Sequence, residues 1–547
     1  LSNIANVFPF NGVNRMKSTR SQFVATFLGV GVLALGPWQS TWGGTAERKP
    51  NIIIFLADDL GYADLGCQGC KDVPTPNIDS LAKNGVRFTD GYATHPVCAP
   101  SRAGLMTGMY QHRFGFEHNP GPERFAAPNF GLPRNVPTLA EKLKAAGYAT
   151  GMIGKWHLGF KEGLRPWERG FDYIFGFLGG ARSYYPNNPR EQDPLLCNGR
   201  IVTDEKEYLT DAFAREAVTF IERSKDQPWF LYLAFNAVHG PLEATEKYTS
   251  RFPNLTGTRR TYAGMLSAMD DAVGRVLAKV RELNQEDNTL IFFYSDNGGP
   301  TLQTTSRNDP LRGYKAQMFE GGIRVPFLMQ WRAVVPSGGV YTQMVMGFDC
   351  YVTALAAAGL PLDKGLDGVN LIPFVTGRTN GVPHEWLCWR AGEQYAVRLG
   401  DWKLVRSRES SPMLFHLRED VGEQHDLASS HPDQLQRLQA VFSEWEKQML
   451  PAQWTRQDGR KQPGASSSTN RTSTPLPSGS RRPQWLEIFE QADRNRDGRL
   501  SKEEWPAKRI EFSEVDANDD GTVTGEEVRQ YFERRRNGPN QGVQNLR

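Results

Sequence analysis

Asn51-Ile52-Ile53-Ile54-Phe55-Leu56-Ala57-Asp58-Asp59-Leu60-Gly61 is the stretch that reveals the most about the architecture. From Ile52 to Ala57 nothing polar interrupts the run, so the strand it forms must be covered on both faces. The run ends abruptly in two adjacent carboxylates. The same pattern recurs along the chain. Tyr148–Ile153 leads into Gly154-Lys155-Trp156-His157, and Trp229–Phe235 leads into Val238-His239-Gly240-Pro241. Thr289–Tyr294 leads into Ser295-Asp296-Asn297-Gly298-Gly299. Helical stretches separate these runs. One opens at Pro76-Asn77 and stops at Gly85, before a short strand Val86–Phe88. Another, Thr138–Ala146, carries Leu139 and Leu143 on one face and ends at Gly147. A third runs from Leu209 to Arg223. The clearest has Tyr262, Met265, Leu266, Met269, Val273, Val276, Leu277 and Val280 at helical spacing, a core face.

Alternating buried strands and helices predict a large mixed, mostly parallel sheet sandwiched by helices, an α/β fold. Such sheets bind ligands beyond the carboxyl ends of their strands. Each polar cluster named above could be an ordinary turn, but four of them occupy the same kind of position. Asp58, Asp59, Asp296 and Asn297 offer only oxygen ligands, which suit Ca²⁺ or Mg²⁺ rather than zinc. Three carboxylates gathered there would repel one another without a cation. Lys155 and His157, two residues apart in an extended segment, point the same way. With Arg102, Lys315 and His239 they could cradle a tetrahedral anion.

Cys98-Ala99-Pro100-Ser101-Arg102-Ala103-Gly104-Leu105-Met106-Thr107-Gly108 reads as a helix with Pro100 in its first turn and Cys98 at its start. Backbone N–H groups and the helix dipole gather at that end, so the position favours an anion or a thiolate. Cys-x-Pro-Ser-Arg resembles the signature of the formylglycine-dependent (type I) sulfatases of the alkaline-phosphatase-like superfamily. The other clusters also fall on sulfatase motifs. Asp58-Asp59 resembles the aspartate pair after the first strand, and Gly154-Lys155-Trp156-His157 the Gly-Lys-Trp-His motif. His239-Gly240-Pro241 resembles the His-x-Pro motif, and Asp296-Asn297-Gly298 the second metal-binding pair. Tyr314-Lys315 with Glu320-Gly321-Gly322-Ile323-Arg324-Val325-Pro326 resembles the lysine and the segment that follows it. The segments Leu399–Leu404 and Leu414–Leu417 resemble the family's C-terminal subdomain.

The resemblance implies that a formylglycine-generating or equivalent maturation enzyme oxidises Cys98 to an aldehyde, with Pro100 and Arg102 in the motif it recognises. The aldehyde is hydrated to a diol, and one hydroxyl attacks sulfur while bound to a divalent cation held by Asp58, Asp59, Asp296 and Asn297. His239, helped by Lys315, protonates the departing alcohol, and His157 is the base that lets the diol collapse and expel sulfate. Lys155, Lys315 and Arg102 stabilise the developing charge. The implied substrate is a sulfated carbohydrate or an aryl sulfate. Two alternatives stand beside this reading: a phosphodiester or phosphonate hydrolase of the same superfamily, and a catalytically inert secreted calcium-binding interaction protein.

The chain has 547 residues and a net charge of +3, so no strong field points to nucleic acid. Six cysteines are too few for a disulfide scaffold. Cys67-x-x-Cys70 reads as a redox pair, half a zinc site, or two unrelated loop cysteines. Lys17 and Arg20 precede an apolar run, Phe23 to Leu35, broken by Gly36-Pro37. It is too short to span a bilayer and fits a signal peptide, with an uncleaved anchor as the alternative. A secreted or periplasmic protein without a stable membrane span is therefore expected. The expected division is 1–45 N-terminal extension, 46–385 catalytic domain, 386–456 smaller α+β subdomain, 457–484 linker, 485–536 EF-hand pair, and 537–547 disordered tail. In the subdomain, strands are expected around Tyr395–Leu399 and Trp402–Val405, and a helix near Pro432–Met449. A helix Phe348–Leu360 precedes it. The linker is rich in Ser, Thr, Pro, Gly and Arg, as flexible segments are.

Two calcium loops close the chain. The first places Asp493, Asn495, Asp497, Arg499, Ser501 and Glu504 at the ligand positions. The second places Asp516, Asn518, Asp520, Thr522, Thr524 and Glu527 there. Gly498 and Gly521 make the sharp turns, and Leu500 and Val523 are placed to pair the loops. Two bound Ca²⁺ are expected, in a permanently loaded module rather than a sensor. Loops Tyr110–Phe125 and Leu178–Arg200 carry Tyr, Arg and Asn that suit sugar hydroxyls and sulfates, or an ordinary surface.

Overall fold

The computed structural model describes residues 49–124, 126–408 and 410–454, and in the C-terminal part 489, 492–493, 498–505, 512–516 and 520–537. The predicted signal segment and linker lie outside the described residues. Among the described residues ten strands form the main sheet. Its centre is five parallel strands in the order Thr289–Ser295, Asn51–Ala57, Trp229–Ala234, Ala149–Lys155, Tyr173–Phe177. Phe327–Gln330 runs antiparallel to Thr289–Ser295 and pairs with Val86–Phe88, which Gly339–Tyr341 joins in parallel. Leu196–Cys197 and Arg200–Ile201 finish the opposite edge.

Both faces of the central strand are covered, as its sequence requires. Ile52, Ile54 and Leu56 join one core with Phe230, Tyr232 and Phe292. Ile53, Phe55 and Ala57 join another with Leu231, Leu233 and Phe293. The helices Leu209–Ser224 and Gly257–Glu282 close the second core. The helices Cys98–Thr107, Leu139–Ala145 and Asp349–Ala357 close the first. Each fully buried Leu, Ile or Phe contributes ~1.5–3 kcal/mol by leaving water, so the sheet is a rigid platform. Thr138 and Glu141 form a reciprocal cap at the start of the Leu139–Ala145 helix, fixing its entry.

The sequence reading shows neither the Tyr173–Phe177 strand nor the Phe327–Gln330 strand. Tyr173–Phe177 contains Gly176, which weakens the strand pattern. The glycine is required because a Cβ there would run into the Gly154 carbonyl of the neighbouring strand. Phe327–Gln330 is four residues long and directly follows Pro326, too short for periodicity to register. The predicted helices at Phe348–Leu360 and Pro432–Met449 are shorter, at Asp349–Ala357 and Pro432–Glu446.

A four-stranded antiparallel sheet follows, Trp386–Ala391, Gln394–Leu399, Trp402–Arg406 and Met413–His416, with the Pro432–Glu446 helix packed on it. Its core continues into the first part of the chain through Tyr92, Tyr110, Phe319 and Ile323. At this seam Lys403 Nζ lies 2.8 Å from both Glu320 Oε1 and Glu423 Oε1, all three side chains fully buried. In the C-terminal module Arg499–Ser501 pairs antiparallel with Thr522–Thr524, bringing Leu500 opposite Val523 as predicted.

Candidate active site

Parallel register brings the carboxyl ends of the central strands to one line. Ala57 pairs with Ser295, Leu56 with Ala234, and Gly154 with Ala234. The chain leaves these ends into tight backbone contacts. Asp58 N–H donates to the Ala237 carbonyl at 2.9 Å, and Asp296 N–H to the Ala57 carbonyl at 3.1 Å. The Cys98–Thr107 helix enters from extended Val97, so Cys98 is its first residue, as the Pro100 position predicts.

Nine of the ten residues predicted to form the catalytic and metal cluster interlock directly. The Cys98 thiol donates to Asp58 Oδ1 at 3.4 Å and accepts from Lys315 Nζ at 3.4 Å. Lys315 Nζ also lies 2.6 Å from Asp59 Oδ1, and Lys155 Nζ donates to Asp58 Oδ2 at 2.5 Å. Arg102 clamps Asp296 through Nε at 2.9 Å and Nη2 at 2.8 Å, and donates from Nη1 to the Lys155 carbonyl at 3.0 Å. His239 Nε2 stands 3.6 Å from Asp59 Oδ2, while its Nδ1 meets the Gly240 carbonyl at 2.6 Å. That contact makes Nδ1 the donor and leaves Nε2 facing the carboxylates. Asn297 Nδ2 donates to Asp59 Oδ1 at 2.7 Å, and Asn297 Oδ1 is buried without a hydrogen-bond partner.

The tenth, His157, reaches the site differently from the expectation. The strand stops at Lys155, and His157 takes a left-handed backbone with φ of 59°, so the two side chains do not share an extended face. The imidazole still lines the cavity beside Cys98, against Gly180, where a Cβ would come within 2.7 Å of the ring.

The fit for a hard cation rests on these contacts. The ligand atoms of Asp58, Asp59, Cys98 and His239 all lie within 4.8 Å of one another. The orphaned Asn297 oxygen adds a further neutral donor. Asp58, Asp59 and Asn297 thus offer oxygen donors, the type that suits Ca²⁺ or Mg²⁺.

Burial sets the protonation states. It would raise the Asp58 carboxyl, but Lys155, His239, Arg102 and Lys315 outweigh it and hold Asp58 well below the usual carboxylate range. Asp296 goes the other way, raised by burial and by the Asp58 charge against the pull of Arg102. Burial and Lys155 hold His157 neutral, and burial and the Lys315 charge push His239 down. The expectation of a thiolate-favouring helix start is corrected here. Burial, then Asp296, pushes the Cys98 thiol up, and the nearby lysines do not offset them. The unmodified thiol is therefore a poor nucleophile in this place.

Two cavities meet at the cluster. One of about 710 Å³ is lined by Asp59, His239, Pro300, Leu302, Tyr314 and Lys315. The other, about 400 Å³, is lined by Cys98, His157, Gly180, Glu191 and Asp193. Asn119 and His239 border both. Asn119 was not legible in the sequence, because His118-Asn119-Pro120 looks like any loop. Its Oδ1 accepts from the Ala99 N–H at 2.9 Å, holding the start of the Cys98 helix. Tyr184 was also missed as a support. Its hydroxyl donates toward the carbonyls of Asn236 and His239 at 2.5 and 2.8 Å. Much of the two loops read as sugar-facing turns inward. Tyr110, Gln111, His112 and Arg182 are buried, and Arg113 is committed to Asp367.

The calcium loops hold their predicted turns. Gly498 and Gly521 have φ of 82° and 80° and donate to Asp493 Oδ2 and Asp516 Oδ2, each at 3.0 Å. Glu504 Oε2 accepts from Ser501, and Glu527 Oε2 from Thr524, at 3.1 and 2.8 Å. Asn495, Asp497 and Asn518 lie outside the described residues. Arg499, Asp520 and Thr522 sit within the described turns of the loops. Cys67 and Cys70 are both free thiols, Cys70 Sγ donating to Asp72 Oδ1 at 3.2 Å, so the redox-pair reading has no disulfide behind it.

Comparison with known proteins matches residues 50–360 to the sulfatase family pattern. The chain belongs to the sulfatase family. Residues 314–450 of this sulfatase match the pattern "N-sulphoglucosamine sulphohydrolase, C-terminal", and 486–506 and 509–532 match EF hands. The chain is 32% identical over 464 residues to N-acetylgalactosamine-6-sulfatase of Homo sapiens, covering 75% of this chain and 88% of that protein. A crystal structure of Ps i-CgsB in complex with k-i-k-neocarrahexaose shares 38% identity at a TM-score of 0.71, covering 76% of this chain and 96% of that one. A phosphonate monoester hydrolase of Agrobacterium radiobacter shares the fold, at 20% identity and a TM-score of 0.54, over 73% of this chain and 95% of that one. The protein is a sulfatase enzyme with an EF-hand pair at its C-terminus.

Proposed function

We propose that this sulfatase hydrolyses sulfate esters on a galactose-configured saccharide, using an aldehyde made from Cys98 and a divalent cation. The observation that carries the reading is the convergence of Cys98, Asp58, Asp59 and His239 within 4.8 Å, with Lys315 touching both Cys98 and Asp59. The N-acetylgalactosamine and neocarrahexaose in the names of its relatives point to the sugar. When in place, the cation supplies positive charge for the sulfate oxygens, and the modified residue 98 supplies the oxygen nucleophile.

The chain's own residues do the rest. Asp58, Asp59, Asp296 and Asn297 would hold the cation, and Arg102, bonded twice to Asp296 Oδ2, orients that carboxylate. Lys155 and Lys315 pair with sulfate oxygens as negative charge spreads over them. His239, its Nδ1 tied to the Gly240 carbonyl, carries a proton on Nε2 to the departing sugar oxygen. The arriving sulfate offsets the Lys315 charge that otherwise keeps that imidazole neutral. His157, held neutral beside residue 98, takes up the proton that lets sulfate leave. The proposed domain limits stay at 46–385, 386–456 and 485–536. We also read the protein as exported, on the Phe23–Leu35 run; among the described residues no helix is long and apolar enough to cross a membrane.

Release of inorganic sulfate from carrageenan oligosaccharides and N-acetylgalactosamine 6-sulfate tests the proposal, with an aryl phosphate diester assayed alongside. Faster turnover of the diester would replace the sulfate reading with a phosphodiesterase one. His239→Ala will slow saccharide desulfation by about 10²–10⁴-fold yet spare much of the rate on 4-nitrophenyl sulfate, whose leaving group needs no proton. Equal losses on both substrates would remove His239 from the acid role. Exhaustive EDTA treatment will abolish sulfate release, and Ca²⁺ or Mg²⁺ will restore it. Activity that survives chelation would reject the four-oxygen cation site.

A further inference from the structure

The EF-hand module is not merely tethered to the enzyme; its core includes a residue of the active-site rim. Leu302 packs with Leu500, Val515, Val523 and Val528 of the module, and Tyr314 lies against the same cluster. Both residues line the larger cavity together with Asp59, His239 and Lys315. Leu302 belongs to the short helix Thr301–Thr304, which begins four residues after the metal-binding candidate Asn297. The rim segment 300–316 is thus pressed between the active site and the EF-hand pair.

The helix Gly525–Asn537 makes the contact. Gly525 lies so close to Leu302 that a Cβ would stand 3.0 Å from Leu302 Cδ2. Arg529 donates to the Thr258 hydroxyl at the start of the long helix Gly257–Glu282. The same helix carries Glu527 at the twelfth position of the second calcium loop, between Gly525 and Val528. Its carboxylate accepts from Thr524, and the Gly521 turn has the left-handed backbone such loops require, so the residues fit a calcium ion. Glu527 would hold such an ion from the same helix that touches Leu302.

We propose that the EF-hand pair is a calcium-dependent brace for the rim of the substrate cleft. Loading the second loop holds segment 300–316 in place, and that segment positions the sugar around the sulfate. Leu302 and Tyr314 are positioning residues, and the effect falls on substrate binding more than on chemistry, because Lys315 in the same segment is anchored separately to Asp59 at 2.6 Å. The kinetic arm of the test rests on the saccharide reading above; the exchange arm does not.

The test uses the full chain in millimolar Ca²⁺, so that the active-site cation stays loaded. Glu527→Gln weakens the second loop, and Gly525→Asp keeps every loop ligand but drives a carboxylate against Leu302. Hydrogen exchange of peptides covering 300–316 is expected to speed up about tenfold in both variants, with the strand Asn51–Ala57 unchanged. For Gly525→Asp, calcium stoichiometry should hold while KM for a sulfated oligosaccharide rises about fivefold or more and kcat falls less. Unchanged exchange at 300–316 in either folded variant overturns the brace. So does faster exchange there with KM unmoved on a substrate the enzyme turns over. If the wild type releases no sulfate from any ester, the functional reading fails, and the exchange result alone decides the brace.

Discussion

Cys98→Ala will yield a folded protein whose sulfate release is lower by about 10⁴-fold or more. Folding should survive because the change removes one sulfur from the start of a buried helix and leaves the Asp58–Lys155, Asp59–Lys315 and Arg102–Asp296 pairs intact. Activity should not survive, because the variant lacks the side chain from which the proposed aldehyde is made. The high pKa forced on the thiol by burial and Asp296 adds a second expectation. The raised thiol argues against the unmodified cysteine as the nucleophile, so activity is expected to track conversion of residue 98. Mass analysis of the peptide containing Cys98 from active enzyme should show sulfur and two hydrogens lost and one oxygen gained. Cys98→Ser supplies a discriminating control. A serine hydroxyl that accepted sulfate would need a fresh attack to release it, so this variant should stop after one turnover at most. An intact thiol in fully active enzyme, or full turnover by Cys98→Ala, would end the proposed mechanism.

The sequence exposed the parts of this site that sit at fixed points of a repeated pattern. Asp58-Asp59, Lys155, His239 and Asp296-Asn297 follow buried strands, and parallel register alone brings such strand ends together. What it hid is what depends on loop backbone. His157 reaches the cavity through a positive φ that no alternation rule predicts. Asn119 and Tyr184 act by bonding to backbone groups distant in sequence, and their own neighbours look like any turn. The outer strands were hidden for a related reason. Tyr173–Phe177 needs a glycine to let its neighbour's carbonyl approach, so the residue that permits the pairing also erases the strand signal. The docking of the EF-hand pair on Leu302 was likewise invisible, because a lone Leu after Pro300-Thr301 carries no mark of what will cover it.

Lys403→Met will lower stability by ~3–5 kcal/mol at neutral pH, a drop of about 3–5 °C in melting temperature for a folded chain of this size. Lys403 is the shared counter-ion of Glu320 and Glu423, with no exposure of any of the three side chains. Burial would raise Glu320, but Lys403, Arg324 and Arg398 outweigh it and hold that carboxyl low. Glu423 has Lys403 as its principal counter-charge and is raised above the ordinary glutamate range by burial. Methionine fills a similar volume but leaves two carboxylates facing each other across the seam, with Arg324 reaching only Glu320 at 3.2 Å. The sign of the pH effect follows. A carboxyl raised in the folded state holds its proton where the unfolded chain has lost it. The stability it contributes is therefore fully present below the unfolded glutamate value and is lost as pH rises through the folded one. Removing Lys403 raises Glu423 further and lifts Glu320 from its lowered position, so the deficit of the variant should be larger at pH 8 than at pH 5. Adding Glu423→Gln removes one of the two stranded charges and should recover part of the loss, most clearly at the higher pH. Glu320 N–H donates to Glu423 Oε2 at 2.6 Å, a bond that the glutamine carbonyl can keep. A Lys403→Met protein that melts within about 1 °C of the parent at pH 8 would show that the seam is held by its apolar core alone, through Phe319, Ile323 and Trp389.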